Sequence, residues 1–296
     1  MNTHVDCISC IVNKVDSLAN KYLDTKKKKY DFMKKALMEI VNANYNMSSP
    51  TVSSKILRIL KEEVNIDDIY EKEKRYFNDL ALKMEKQLEE KLNLSEDRFL
   101  DALKYAISGN IIDFGALDDI KDDMLDNIIQ TTLKQNISGS VYSKFKRNLE
   151  NASELVYLSD NTGEIVFDKL FIKEIRKKYP DLNITLITRG KPVYNDATEE
   201  DAYYVGLDKY VKIINNGTDI AGTDLLEINE ESKRYIDNAD LIISKGQGNF
   251  ETLCGCGKNI YYLFLCKCDM FVEKLKCEKF TSVFINEEEC SKLFGE

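Results

Sequence analysis

A single histidine, His4, occurs among the 296 residues. Nucleophilic triads need histidine as their base and histidine-built zinc hydrolases need several, so neither class is expected. No segment reaches the uninterrupted apolar length of a spanning helix. The opening residues Met1 to Cys7 also lack a basic stretch followed by an apolar one. A cytoplasmic protein is expected. Cysteine is sparse as well: eight in a chain of this length are too few for a secreted disulfide scaffold, and in a reducing compartment they default to thiols. Basic charge is outweighed, 42 residues against 51 acidic ones, and the net charge of -9 repels nucleic acid and anionic membrane surfaces. Neither is an expected partner. The one dense basic run, Lys26 to Lys29, reads as a solvated helix end. Nothing in the sequence addresses oligomeric state.

Hydrophobic residues make up 43% and charged residues 31%, enough for a sizeable core, and the length suits two packed units. From Cys7 to about residue 150 apolar positions recur at helical spacing, as in Ile8, Ile11, Val12, Val15 and Ala19. Ser49-Pro50 and Ser95 with Glu96 and Asp97 mark helix starts, Gly109-Asn110 marks a helix end, and the highly charged stretch Ile69 to Leu92 predicts a largely exposed helix. After residue 150 the pattern changes to short apolar runs: Leu155–Ser159, Ile184–Thr188, Val211–Ile214, Leu241–Ser244, Tyr261–Leu265 and Ser282–Ile285. Strand-length runs alternating with helical stretches imply a parallel sheet covered on both faces. The expected fold is therefore α/β: a parallel-sheet, Rossmann-like domain over residues 151–296, preceded by an all-helical N-terminal domain over 1–150.

Ligands of open parallel sheets bind beyond the carboxyl ends of the strands, so the residues after each run carry the functional signal. After the first run stands Ser159-Asp160-Asn161-Thr162-Gly163-Glu164. A carboxylate beside a carboxamide supplies the hard oxygen ligands that Mg²⁺ or Mn²⁺ prefers, and the amides of Thr162, Gly163 and Glu164 at a helix start can receive phosphate oxygens. The same Asp-Asn pair would equally cap the following helix. The second run ends in Thr188-Arg189-Gly190-Lys191-Pro192-Val193-Tyr194-Asn195-Asp196, bringing a further Asn-Asp pair and two cations to that edge. Asp196 completes a metal set with Asp160 and Asn161, and Asp201 is a weaker supporting candidate. After the fourth run, Lys245-Gly246-Gln247-Gly248-Asn249-Phe250-Glu251 offers two glycines for close backbone approach and a lysine for charge. It matches neither Walker A nor G-x-G-x-x-G spacing.

Together the strings Asp160-Asn161-x-Gly163-Glu164, Asn195-Asp196-Ala197-Thr198 with Asp201, and Lys245-Gly246-x-Gly248-Asn249-x-Glu251 resemble the damage-control phosphatase family. This is a group of metal-dependent phosphatases formerly classed as a domain of unknown function. Cys7-x-x-Cys10 and Gly109-Asn110-Ile111-Ile112-Asp113 resemble its prokaryotic branch. The resemblance implies hydrolysis of small phosphomonoesters, sugar phosphates or damaged metabolites, with a divalent cation such as Mg, Mn, Co or Ni. It implies metal ligation by Asp160, Asn161 and Asp196 and a phosphate-side loop at Lys245 and Asn249; the residues themselves add Asp160 and Lys245 as catalytic candidates and Gly163, Glu164, Asn195, Asn110 and Asp113 as expected substrate contacts beside Asn249. The extra basic motif of eukaryotic members is absent from Phe280–Glu296. The missing D-x-D-x-T pattern favours attack by water over an aspartyl-phosphate intermediate. Cys7 and Cys10 have the spacing of half a structural metal site, which Cys254 or Cys256 would complete, although buried thiols on an amphipathic helix fit the same pattern. A phosphometabolite-binding protein without turnover, or a methyltransferase using a nucleoside cofactor, would suit the same sheet.

Overall fold

A computed structural model describes residues 3–109, 131 and 133–294. Helices α1 (Val5–Tyr22), α2 (Lys26–Asn42) and α3 (Ser49–Val64) are amphipathic and bury their apolar faces on one another through Ile11, Val15, Phe32, Val52, Ile56 and Leu60. The cap of α3 is Ser48, one residue ahead of the expected Ser49; its hydroxyl accepts from the Thr51 amide, and Pro50 falls in the first turn. Helix α4 (Glu71–Asn93) is less exposed than its charge suggests. Phe77, Ala81, Leu88 and Leu92 lie at helical spacing and are all buried, so the charged residues other than buried Lys74 occupy the other faces. Helix α5 (Arg98–Ser108) is capped by Asp97, whose carboxylate accepts from the Leu100 amide, while the Ser95 hydroxyl instead donates to Asp101. Gly109 follows at its end; Asn110 and Asp113 lie outside the described residues. Helix α6 (Gly139–Asn151) leads into the sheet.

The strands are β1 (Glu154–Leu158), β2 (Asn183–Thr188), β3 (Lys212–Asn215), β4 (Leu241–Lys245), β5 (Ile260–Leu265) and β6 (Ser282–Asn286), in the spatial order β3-β2-β1-β4-β5-β6. All neighbouring pairs are parallel except β5 and β6, which run antiparallel and correct the expectation of a wholly parallel sheet. The link from β5 to β6 contains only one short helix, α11 (Asp269–Leu275), and β6 joins as an edge strand. The other intervening helices are α7 (Glu164–Lys178), α8 (Glu199–Tyr204), α9 (Glu230–Asn238) and α10 (Gln247–Leu253), with α12 (Glu287–Phe294) after β6.

Because β1 and β4 are neighbours whose connections leave in opposite directions, their carboxyl ends frame the switch point at which ligands bind in such sheets. One face of the sheet packs Leu155, Tyr157 and Ile243 against Phe77, Leu103 and Phe145 of α4, α5 and α6. The other packs Val156, Leu158 and Ile242 against Phe250, Phe271 and Phe294. The helices before residue 150 therefore join two different packings. α1–α3 build their own cluster, and α4–α6 share the core of the sheet.

Cys254, at the end of α10, and Cys290, in α12, lie side by side with their Cα atoms 6.0 Å apart. The other six cysteines, Cys7 and Cys10 among them, are free. No group of three or more His, Cys, Asp or Glu side chains among the described residues is arranged to hold a metal, so the expected third ligand for Cys7 and Cys10 is not in place. No helix among the described residues is long and apolar enough to cross a membrane.

Candidate active site

The loops leaving β1 and β2 are joined along their length. Ala197 N donates to Asp160 O at 2.7 Å, Arg189 N to Ala197 O at 3.0 Å, and Asn161 and Asp196 form an isolated antiparallel bridge. This pairing brings Asp160, Asn161 and Asp196 together at the switch point, all three buried. Arg189, which is only 1% exposed, lies between the carboxylates: Nε donates to Asp196 Oδ2 at 2.6 Å and Nη2 to Asp160 Oδ1 at 3.3 Å. The Asn161 carboxamide is oriented by two acceptors, Asp160 Oδ2 at 2.7 Å and Glu164 Oε2 at 3.1 Å, both reached by its Nδ2. These two bonds set the orientation of the carboxamide.

Beneath the carboxylates lies a second, fully buried ionic group. Lys245 Nζ donates to Glu164 Oε1 at 2.6 Å, Asp168 Oδ1 at 2.6 Å and the Ala106 carbonyl at 2.8 Å. Tyr157 OH donates to the same Asp168 oxygen at 2.7 Å. Burial lowers the affinity of the Lys245 ammonium for its proton, but Asp168 and Glu164 reverse the balance and hold its pKa above the usual range. Burial pushes Asp168 up to about 6 despite that lysine. Gly246, at φ 79°, carries the chain past Asp160 so closely that a Cβ would overlap the Asp160 carboxylate. Gly246→Ala is therefore expected to displace that carboxylate, which a lowered melting temperature of the variant would report.

Above the carboxylates opens a cavity of about 320 Å³. Asp160, Asn161, Asn195 and Asp196 line it from the first two loops, and Gln247, Gly248, Glu251 and Lys267 from the β4 and β5 side. α1, α3 and the segment ahead of α4 close it with Cys10, Ile11, Lys14, Ser53 and Tyr70. Tyr194, at φ 43°, turns its ring into the wall; its hydroxyl donates to the Ser53 carbonyl at 3.1 Å, and Lys14 Nζ lies 5.4 Å from the ring centre. A larger hollow of about 580 Å³ includes Glu154, Asn183 and Lys212, the first residues of β1, β2 and β3, and so opens at the end of the sheet opposite the switch point.

Residues 3–283 match the damage-control phosphatase ARMT1-like domain. The chain is 30% identical to a damage-control phosphatase of Archaeoglobus fulgidus over 89% of this chain and 91% of that protein. It is 29% identical to damage-control phosphatase PH1575 of Pyrococcus horikoshii, over 94% of this chain and 96% of that protein. The chain belongs to the ARMT1-like damage-control phosphatase family. A crystal structure of the same Pyrococcus protein, described there as a DUF89 family protein, superimposes with a TM-score of 0.87 at 28% identity, covering 97% of this chain and 99% of that one. An uncharacterized protein of Methanocaldococcus jannaschii, MJ0202, is 33% identical over 91% of this chain and 90% of its own length. These relatives support a phosphatase role for this member of the family.

In this family member, several residues named from sequence stand away from the cavity. Lys245, Glu164 and Asn249 do not line it. Asn249 Nδ2 donates to the Ser159 and Lys245 carbonyls and its Oδ1 accepts from Arg189 and Thr223, so its polar atoms fasten the loops to each other. The Thr162 amide donates to Asn195 O at 2.9 Å and the Gly163 amide to Asn78 Oδ1 at 2.7 Å, so neither is available to a phosphate. Asp201 closes a capping box on Thr198 and accepts from Asn78 and Lys74; it braces the loop from outside. Lys14, Tyr194 and Lys267, all on the cavity wall, were not singled out from sequence. Lys267 had a usable signal, since it stands just past the carboxyl end of β5.

Proposed function

We propose that this chain hydrolyses small phosphomonoesters, such as sugar phosphates or damaged phosphometabolites, with a divalent cation held by Asp160, Asn161 and Asp196. The observation that carries the reading is the convergence of these three side chains on one cavity at the switch point. Two carboxylates and an oriented carboxamide oxygen form a hard donor set that suits Mg²⁺, Mn²⁺, Co²⁺ or Ni²⁺. Burial first, then Asp196 and Glu164, push the Asp160 carboxyl well above its usual range even with Arg189 beside it. The site is thus short of positive charge, a deficit that a dication would fill. When bound, such an ion supplies charge neutralisation and polarisation of the phosphoryl oxygens.

The chain's own groups supply the rest. Lys267 shares the cavity and offsets charge that develops on the phosphoryl oxygens, the role that buried Lys245 is not placed to play. Asn161 stays oriented because Glu164 holds its amide, and Glu164 is held in turn by Lys245. Asp160 has one oxygen accepting from Arg189 and the other from Asn161, which suits a ligand better than a nucleophile, so the reading assigns attack to water. Release of inorganic phosphate from sugar phosphates should vanish in excess chelator and return when Mg²⁺, Mn²⁺, Co²⁺ or Ni²⁺ is restored. Turnover that persists in chelator would remove the metal from the reading. Absence of turnover with every ion, from folded protein, would leave a non-catalytic binder.

A further inference from the structure

The phosphatase reading accounts for the phosphoryl end of the cavity but leaves the departing oxygen without a proton. An alkoxide leaving from a sugar phosphate is strongly basic, and expelling it unprotonated is slow. The group that supplies the proton must line the same cavity as the metal ligands without being one of them, and must hold its proton near neutral pH. Among the described cavity residues, Lys14 and Lys267 serve better as fixed charges, and Asp160 and Asp196 belong to the metal set.

We propose that Glu251 is the general acid that protonates the leaving oxygen of the substrate. It stands in α10, one turn after Gln247, on the wall that also carries Gly248 and Lys267. Its carboxyl is held by Gln247, whose own amide is fixed from the other side: Lys267 N donates to Gln247 Oε1 at 3.3 Å, and Gln247 Nε2 donates to Glu251 Oε1 at 3.0 Å. Burial pushes the carboxyl up to about 7, with the Gln247 bond opposing the shift, so a large fraction stays protonated at neutral pH. The charged and titratable groups around it are the N-terminal ammonium of the chain, whose charge opposes the shift as the Gln247 bond does, Cys7, Cys10 and Lys14 on α1, Lys267 and Cys268 past β5, and the Asp160 and Asp196 carboxylates. The Cys7 and Cys268 thiols are themselves raised by burial, so they stay neutral in this range.

The step balances without any further reactant. The bond between phosphorus and the leaving oxygen breaks, its electron pair passes to that oxygen, and the oxygen takes the Glu251 proton to give the free alcohol. Water forms the new bond to phosphorus and yields inorganic phosphate. The proton that water releases restores Glu251 through solvent.

This proposal rests on the phosphatase reading, and the two fail differently. The test compares kcat/KM of Glu251→Gln with that of the unaltered protein on an alkyl or sugar phosphate and on 4-nitrophenyl phosphate, whose phenolate departs with little need of a proton. The expected loss is about 100-fold on the sugar phosphate and at least about tenfold smaller on the aryl ester. The unaltered protein should lose kcat on the sugar phosphate as pH rises through about 7, because the acid form disappears, and that limb should be missing in Glu251→Gln. Equal losses on both substrates, or a pH limb that survives the substitution, would overturn the assignment while leaving the phosphatase reading intact. No turnover of either ester by the unaltered protein would overturn both.

Discussion

Asp196→Asn should lower kcat/KM about 1,000-fold at saturating metal while leaving the melting temperature nearly unchanged. The activity figure follows from losing several kcal/mol of charge stabilisation once the cation is displaced or loosely held. Asparagine is the informative choice because its carbonyl still accepts from Arg189 Nε, which donates to Asp196 Oδ2 at 2.6 Å. Alanine would remove that acceptor from a guanidinium only 1% exposed, and the cost of burying it less well paired would mix folding with catalysis. Phosphate-release kinetics, a metal titration and a thermal melt, made on one preparation, decide the matter. Turnover within tenfold of the unaltered protein at saturating metal would remove Asp196 from the metal set.

Lys245→Met is expected to act in the opposite way, chiefly on stability. Glu164 and Asp168 would stay fully buried without their cation, a situation that typically costs about 3–5 kcal/mol. Asp168 Oδ2 already has no hydrogen-bond partner among the described residues, so it has little reserve. The loss should depend on pH. Asp168 holds its proton up to about 6 in the folded chain, against about 3.9 for an unperturbed aspartate, so its burial weakens the fold as pH rises through that window. Removing the lysine should raise the folded value further, making the variant's deficit smallest near pH 5 and largest above pH 7. Lys245→Met with Asp168→Asn should recover part of the stability. A single variant that melts like the unaltered protein, yet binds substrate poorly, would return Lys245 to the cavity.

The sheet was legible because its strands are buried on both faces and so read as unbroken apolar runs; every observed strand lies within about one residue of its run. The antiparallel β6 was not legible, because an apolar run carries no direction. The convergence of Asp160, Asn161 and Asp196 was also visible, since they stand in the loops that leave β1 and β2. Lys245 and Asn249 do not line the cavity, although they share a strand end and loop with cavity-lining Gln247 and Gly248. Strand-end position says which edge a residue reaches, and alternation along the chain then decides whether its side chain enters the cleft or the core. α4 misled for a related reason: charge density hides an apolar stripe when Phe77, Ala81, Leu88 and Leu92 are spaced by whole turns.

Asn78 belongs to α4, yet its carboxamide receives the Gly163 amide and donates to Asp201. One side chain from the first part of the chain thus braces both loops that present the candidate metal ligands. A shortened protein beginning near residue 151 would keep every candidate ligand in its sequence and lose the pin that aligns them. The active site is therefore not a portable cassette, and graftable or minimised versions of this enzyme will have to carry α4 with the sheet.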